Sequence, residues 1–260
     1  MRVITLTTDF GTRDPFVGVL KGVILGIAPG VRLVDLTHEI SPHDILEGAL
    51  ALEAAVPFFP PGTIHLAVVD PGVGSARRPL AVAAAGQHFV GPDNGLLSFL
   101  FCAGGWRAVR LEATAYRLST VSQTFHGRDV FAPAAAHLAL GTPLGRLGPP
   151  VTDPVVIPWP TARRQGDQLV GEVIHADRFG NLVTSVRTQD LETLGPAFSL
   201  VVEVEDQEVG GVVGCYADLP PGGPGAVIGS SGRLEISVRE GNALATTGAR
   251  RGSTVRVRKQ

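Results

Sequence analysis

The sequence is short of the residues that mark secreted, membrane-bound or nucleic-acid-binding proteins. Its 260 residues include two cysteines, Cys102 and Cys215. They are far apart and lack metal-ligand spacing, so no disulfide framework and no cysteine-held metal are expected, and both read as reduced small side chains. Lysine is nearly missing: of 22 cationic side chains all but Lys21 and Lys259 are arginine. Set against 24 acidic residues, these leave a formal net charge of −2, with no field of one sign for nucleic acid or an anionic membrane surface. No apolar run is long enough to span a bilayer, and no charged and apolar leader precedes the first strand pattern. A cytoplasmic protein with neither a membrane nor a nucleic-acid partner is expected.

What is present is a core and many turns: 44% of residues are hydrophobic, with 33 glycines and 20 prolines. The segment Ile64-His65-Leu66-Ala67-Val68-Val69 is apolar apart from its histidine and rich in β-branched residues, the pattern of a strand buried on both faces inside a parallel sheet. Asp70 then falls at the carboxyl end of that strand, and Pro71, Gly72 and Gly74 break the chain before Arg77. A carboxylate at a strand end with a cation seven residues on is a candidate reactive centre, placed where open α/β sheets bind their ligands. Asp9, after the first strand pattern, is a second carboxylate in the same position and faces the same crevice.

The first half alternates strand and helix. A helix is expected to open at Asp14 and Pro15 and to bury Phe16, Leu20, Val23, Ile24 and Ile27. The strand 31–36 follows, and then a helix capped by Asp44 with Glu47 three residues on. A hairpin is expected across 80–90 with its turn at Gly86-Gln87, and a helix over 96–102 with Asp93 or Asn94 near its start. A last helix is expected over 130–140, capped by Asp129. Of the histidines, His65 and His137 read as packed side chains, while His38, His43 and His126 lie in loops and are candidate site residues.

Five prolines between Gly148 and Pro160 mark the domain boundary, giving an α/β domain over 1–157 and a second domain over 158–260. The second half is made of short β-rich segments at 169–174, 182–186, 199–205, 226–228, 234–238 and 254–257, and reads as an all-β barrel or sandwich. Two of its loops are unusually specific, His175 to Asn181 and Gly229 to Glu235.

The whole chain resembles the S-adenosyl-L-methionine (SAM) hydroxide adenosyltransferases, hydrolytic relatives of the fluorinases and chlorinases. The resemblance is carried by Thr7-Thr8-Asp9-Phe10-Gly11, Val69-Asp70-Pro71-Gly72-Val73-Gly74, Arg77-Arg78, Thr124-Phe125-His126-Gly127-Arg128-Asp129, Asp177-Arg178-Phe179-Gly180-Asn181 and Ser230-Ser231-Gly232-Arg233-Leu234-Glu235-Ile236, in the family's order. It implies a Rossmann-like α/β domain with a mostly parallel sheet, a C-terminal β-barrel, and a homotrimer with active sites between subunits. It also implies hydrolysis of SAM to adenosine and L-methionine by water or hydroxide attacking ribose C5′, with no cofactor and no metal. On this resemblance Asp70, Arg77 and His126 are the reactive triad and Asp9 takes the ribose hydroxyls. Asp177 binds the methionine ammonium, Ser230 its carboxylate, and Phe179 and Asn181 flank the adenine, completed by backbone near Asn242 and Ala243. Two positions depart from the halogenating relatives: Ser231 stands where they have Arg, and His43 where they have Trp.

Two other readings compete. Asp9, His38, Asp70, Asp93, Asn94 and His126 supply oxygen and imidazole ligands for a divalent-metal nucleotidase or phosphatase. A non-catalytic nucleoside-binding module needs the pocket without the triad.

Overall fold

The computed structural model describes residues 2–260, the Phe198 side chain excepted. It divides into two compact units, one ending at Pro158 and the other spanning Trp159–Gln260.

The first unit holds strands β1 (Val3–Thr8), β2 (Arg32–Thr37), β3 (Ile64–Val68), β4 (Pro79–Ala84), β5 (Gln87–Pro92), β6 (Arg107–Arg110) and β7 (Pro150–Val151). They form one seven-stranded sheet in the order β2-β1-β3-β5-β4-β6-β7. The pairs β1/β2, β1/β3 and β3/β5 are parallel, and β4 and β7 run against the others. As expected from its unbroken apolar run, β3 is buried at every position. Helices α1 (Phe16–Ile27) and α2 (Ile45–Ala55) make the two crossovers, β1 to β2 and β2 to β3. Because β2 and β3 lie on opposite sides of β1, the chain reverses its direction of travel there, and a crevice opens beyond the carboxyl ends of β1 and β3. The register pairs Thr8 with Val68, so Asp9 and Asp70 follow on neighbouring strands at that crevice.

Leu20 and Ile24 of α1 are fully buried against the sheet, each worth about 1.5–3 kcal/mol of burial free energy. Phe16, expected on the same face, is instead exposed at the rim of the crevice. The start of α1 differs from expectation too: Pro15 is the N-cap, with no side-chain cap, and its carbonyl takes the first helical bond from Val19 N at 2.9 Å. Asp14 therefore stands one residue too early to cap. In α2 the expected cap holds, Glu47 N donating to Asp44 Oδ1 at 3.0 Å while Glu47 Oε2 accepts from Ser41 N at 3.2 Å. The β4/β5 hairpin turns through Ala85 and Gly86, both at positive φ, one residue before the expected turn. The expected helix over 96–102 is α3 (Ser98–Ala103), with Leu97 at its N-cap, so neither Asp93 nor Asn94 caps it.

Asp129 does not cap a helix either. A π-helical turn, Gly127–Phe131, already begins after His126 and runs directly into α4 (Ala132–Ala139), leaving Asp129 in a helical interior. Alanines 132, 134, 135 and 136 of α4 are buried in the same core as Leu20 and Ile24, small enough to bring the helix close to the sheet.

The second unit holds β8 (Arg163–Gln165), β9 (Gln168–Ala176), β10 (Leu182–Arg187), β11 (Leu200–Val204), β12 (Gln207–Val213), β13 (Pro224–Ile228), β14 (Arg233–Val238) and β15 (Thr254–Lys259). The order β10-β14-β13-β12-β11-β15-β9 is closed by pairing of β9 with β10, making a seven-stranded barrel with β8 appended to β9. A mixed α/β unit followed by a β-barrel is thus the architecture expected. The barrel's core is a cluster of Leu, Val and Ile that includes Leu169, Val202, Ile236 and Val257. Two short helices, α5 (Thr188–Glu192) and α6 (Ala243–Thr247), were not legible in the sequence, nor were β8 and β12. The Gly210-Gly211 pair interrupts the apolar pattern of β12.

Candidate active site

The loop after β3 is a tight double turn. Val73 N bonds Asp70 O at 3.2 Å, and Ser75 N and Oγ both bond Gly72 O, at 3.1 and 2.7 Å. Arg77 N then bonds Ser75 Oγ at 3.2 Å, which turns the arginine back over the strand end. Gly74 is needed here: its φ is +79°, and a Cβ would stand 2.5 Å from Gln123 O in the loop that carries His126.

The returned guanidinium grips Asp70 along one edge, Nε to Oδ1 at 2.8 Å and Nη2 to Oδ2. Its Nη2 also lies 2.8 Å from His126 Nδ1. Arginine can only donate, so Nδ1 accepts and the proton of the neutral imidazole sits on Nε2. The Arg77 and Asp70 side chains are 8% and 6% exposed, where charge-assisted bonds are least weakened by water. Phe131 lies 5.2 Å beneath the guanidinium carbon. Burial, and then the positive charge of Arg77, push His126 below its ordinary value, reinforcing the neutral form. His126 is placed by its neighbours: Asp129, fully buried, accepts from Arg128 Nε at 2.6 Å and from Ser122 N at 2.8 Å, pinning both sides of the loop.

Asp70 and His126 line a cavity of about 270 Å³ that also exposes Asp9 and His43. Asp9 Oδ2 accepts from His43 N at 2.9 Å, and Oδ1 takes no hydrogen bond from the described residues. His43 makes that bond from a left-handed backbone, φ +69°, strain of the kind stored at functional sites. The apolar side of the cavity is Phe10, Phe16 and Phe125, packed edge to face at 5.4 to 5.9 Å. Sequence reasoning placed Phe16 in the core, and it gave Val73, Thr124 and Pro42 of the cavity wall no role. Their position in glycine- and proline-rich loops flanking Asp70, His126 and His43 was the available signal.

Other expected residues have structural duties. His38 and His65 are buried in the first unit; His65 is packed between Phe59 and Phe89, and burial lowers its pKa to about 4. Asp93 is committed to Arg78 and Val155 N, and Asn94 bonds Val69 O at 2.9 Å. Among the described residues, no three His, Cys, Asp or Glu side chains are grouped to hold a metal ion. Both cysteines are free and exposed.

In the barrel unit, Asp177 organises its own loop. Oδ1 accepts from Phe179 N and Asn181 N, both at 2.9 Å, and Oδ2 from Asn181 Nδ2 at 2.9 Å. Phe179 is 76% exposed at the loop's tip. Gly180 (φ +84°) lies so close to Asn242 that a Cβ would meet its side chain at 2.2 Å, and Leu244 N bonds Gly180 O at 3.0 Å. Asn242 caps α6, whose Ala243 is fully buried. Ser230 is exposed in the turn between β13 and β14. Beneath that turn Glu235, 7% exposed, takes a hydrogen bond from Tyr216 Oη at 2.7 Å; burial and the neighbouring Asp177 raise its pKa. Tyr216 was not singled out from sequence, and Glu235 was named there only as part of its loop, without a role.

An α/β sheet with an acid–arginine–histidine chain at its switch point, followed by a closed barrel, defines a two-unit enzyme. A model of the SAM hydroxide adenosyltransferase N-terminal domain matches residues 4–148, and one of the C-terminal domain matches residues 171–256. The (R)-S-adenosyl-L-methionine hydrolase of Thermus thermophilus is 42% identical over 266 aligned residues, covering 99% of this chain and all of the relative. The hydrolase of the same name from Salinispora tropica is 42% identical over 258, covering 98% of this chain and 97% of the relative. A crystal structure of an uncharacterized conserved protein from Thermotoga maritima superposes with a TM-score of 0.93 at 32% identity over 100% of both chains. The chain belongs to the SAM hydroxide adenosyltransferase family. No helix among the described residues is long and apolar enough to cross a membrane.

Proposed function

We propose that this protein hydrolyses SAM to adenosine and L-methionine, with Asp70, Arg77 and His126 preparing the nucleophile. The observation that carries the reading is the unbroken chain Asp70–Arg77–His126 at the wall of a cavity that Asp9 also lines. The sulfonium of SAM is a good leaving group, so the protein needs to supply only an aligned, activated water. In the step, a C5′–O bond forms as the C5′–S bond breaks, the bonding pair leaves with sulfur to give neutral methionine, and the water loses one proton. His126 Nε2–H donates to the attacking oxygen and steadies its developing hydroxide character, while Asp70, the cavity's carboxylate on that side, receives the proton or passes it to solvent. Arg77 keeps both partners in place and fixes the imidazole tautomer. Hydroxide meeting sulfonium neutralises charge, which a site lined by three phenylalanines favours over water.

Asp9 takes the ribose hydroxyls on its open Oδ1. The barrel-unit loops take the rest of the substrate: Asp177 the ammonium, Ser230 the carboxylate, Phe179, Asn181 and the backbone at Ala243 the adenine. Oδ2 of Asp177 retains a lone pair for that ammonium. We place the enzyme in the cytoplasm as a homotrimer in which one subunit gives the triad and its neighbour the barrel loops. The metal-dependent alternative requires activity to vanish on exhaustive chelation.

Incubation of the purified protein with SAM in ¹⁸O-water tests the reading directly. Adenosine carrying ¹⁸O at the 5′ position is expected, and unlabelled adenosine or no adenosine at all overturns it.

A further inference from the structure

A line of four polar side chains runs through the sheet on the β2 side of β1, outside the chemistry just described. Lys21 Nζ from α1 lies 2.6 Å from Asp35 Oδ2 on β2, and Asp35 Oδ1 lies 3.1 Å from His38 Nε2. His38 Nδ1 is 2.9 Å from Thr8 Oγ1, and Thr8 Oγ1 accepts from Phe10 N at 3.3 Å. His38 is 5% exposed and Thr8 is fully buried. A buried imidazole in a polar line gives up stability that an apolar side chain of similar volume would supply, so its presence calls for a specific duty.

The line has one polarity. Burial acts to raise the Asp35 pKa, but its contacts with Lys21 and His38 outweigh it and hold the group below its ordinary value, as a carboxylate that only accepts. The contact with His38 Nε2, at 3.1 Å, is off the line of a full hydrogen bond. It puts the imidazole proton on Nε2, leaving Nδ1 to accept the Thr8 hydroxyl. The Thr8 oxygen then has its lone pairs for Phe10 N–H. A second tie, Gly11 N to His38 O at 2.7 Å, holds the far end of the same turn. Asp9 is the residue between these ties.

We propose that His38 is a positioning residue for Asp9: through Thr8, Phe10 and Gly11 it fixes the turn after β1 so that the Asp9 carboxylate presents Oδ1 to the cavity. The proposal rests on the reading that Asp9 receives the ribose hydroxyls. His38 touches no reacting atom, so its loss weakens substrate binding rather than the chemical step.

The test is steady-state kinetics with SAM on His38→Ala, His38→Asn, His38→Gln, Thr8→Val, Asp9→Ala and the double variant His38→Ala/Asp9→Ala, with a melting curve for each. Expected are a KM raised about tenfold with kcat within about twofold for His38→Ala, His38→Gln and Thr8→Val, the pattern of lost ground-state binding. His38→Asn, whose amide reaches the Nδ1 position, recovers most of the loss; Gln reaches the Nε2 position and does not. The double variant is no worse than Asp9→Ala, the non-additivity of residues acting as one unit. Thr8→Val, which removes only a hydroxyl, keeps the test alive where His38→Ala does not fold. If Asp9→Ala leaves KM unchanged, the ribose reading fails and the inference falls with it. If Asp9→Ala raises KM while His38→Ala and Thr8→Val do not, if the effects add in full, or if Asn is no better than Ala, positioning through His38 is wrong and the ribose reading stands.

Discussion

The two units hold their proposed site residues in opposite ways. In the first, Asp70, Arg77 and His126 are fastened to one another by side-chain bonds, with the arginine and the aspartate nine-tenths buried. In the barrel unit, Asp177 bonds its own loop's backbone, Phe179 stands 76% exposed, and Ser230 tips a hairpin turn. The first arrangement is complete before any ligand arrives, which is what electrostatic preorganisation requires of reacting groups. The second spends its polar atoms on shaping a loop and leaves its surfaces open, as suits gripping a substrate. The contrast teaches where each unit is vulnerable: the first to loss of a single donor, the second to loss of loop shape.

The largest effect is therefore expected in the first unit. Asp70→Ala or His126→Ala should lower kcat by about a hundredfold or more with KM little changed, the usual size of a lost acid–base group. Arg77→Lys should cost nearly as much, since an ammonium cannot reproduce the fork that holds both Asp70 and His126. Near-wild-type kcat in the lysine variant, measured by adenosine release, would break the claim that this unit depends on a preformed chain. In the barrel unit, Gly180→Ala forces a Cβ into Asn242 at 2.2 Å, and KM is expected to rise about tenfold with kcat largely kept. Equal damage to kcat would erase the distinction between the two units.

Mixing Asp70→Ala with Asp177→Ala, assayed at a SAM concentration where neither variant alone turns over, sharpens the comparison at the level of assembly. If one subunit supplies the triad and its neighbour the barrel loops, exchange of subunits restores part of the activity; none after verified exchange places both halves within one chain.

The effects on stability have opposite signs in the two units. His65 has a folded pKa of about 4 against its ordinary 6.5, so the unfolded chain binds more protons between those values. The first unit loses about 3 kcal/mol as pH falls through that window. Glu235 is raised by burial, so its contribution is full below the ordinary carboxylate value and is lost as pH rises through the raised one. Hydrogen exchange resolved by region, from pH 4 to 8, should show protection falling towards acid in the first unit and towards base in the barrel. The same trend in both would contradict the assignment.

Much of this was legible in the sequence, and the reason differs by feature. β3 and the Asp70 loop were readable because an apolar run and a Pro/Gly break are local signals, and the Asp44 cap because a capping box spans four residues. The misses have different causes. Phe16 has helical spacing with Leu20, yet it ends at the cavity because its partners, Phe10 and Phe125, come from elsewhere in the chain. Asp129 looks like a cap until the π-helical turn is seen to start upstream of it. β12 was hidden because two glycines remove the alternation on which strand reading depends. That His126, 49 residues on, belongs with Arg77 and Asp70 came only through family resemblance, and the Arg77–His126 bond itself was not foreseen.

The barrel closes because β9 pairs on both sides, with β10 and with β15, and this has a bearing on how the protein behaves when crowded. A ring of strands offers no free row of amides and carbonyls for another chain to extend. The one strand added outside it, β8, is three exposed residues, Arg163, Arg164 and Gln165, and two like charges there repel a second copy of the same edge. The sheet of the first unit is blunted at both margins, at one by the two-residue β7 with its proline, at the other by Arg32 and Asp35 of β2. Fibril growth by strand addition is thus obstructed at every edge, so the native protein should tolerate high concentration, and aggregation on heating should wait for the barrel to open.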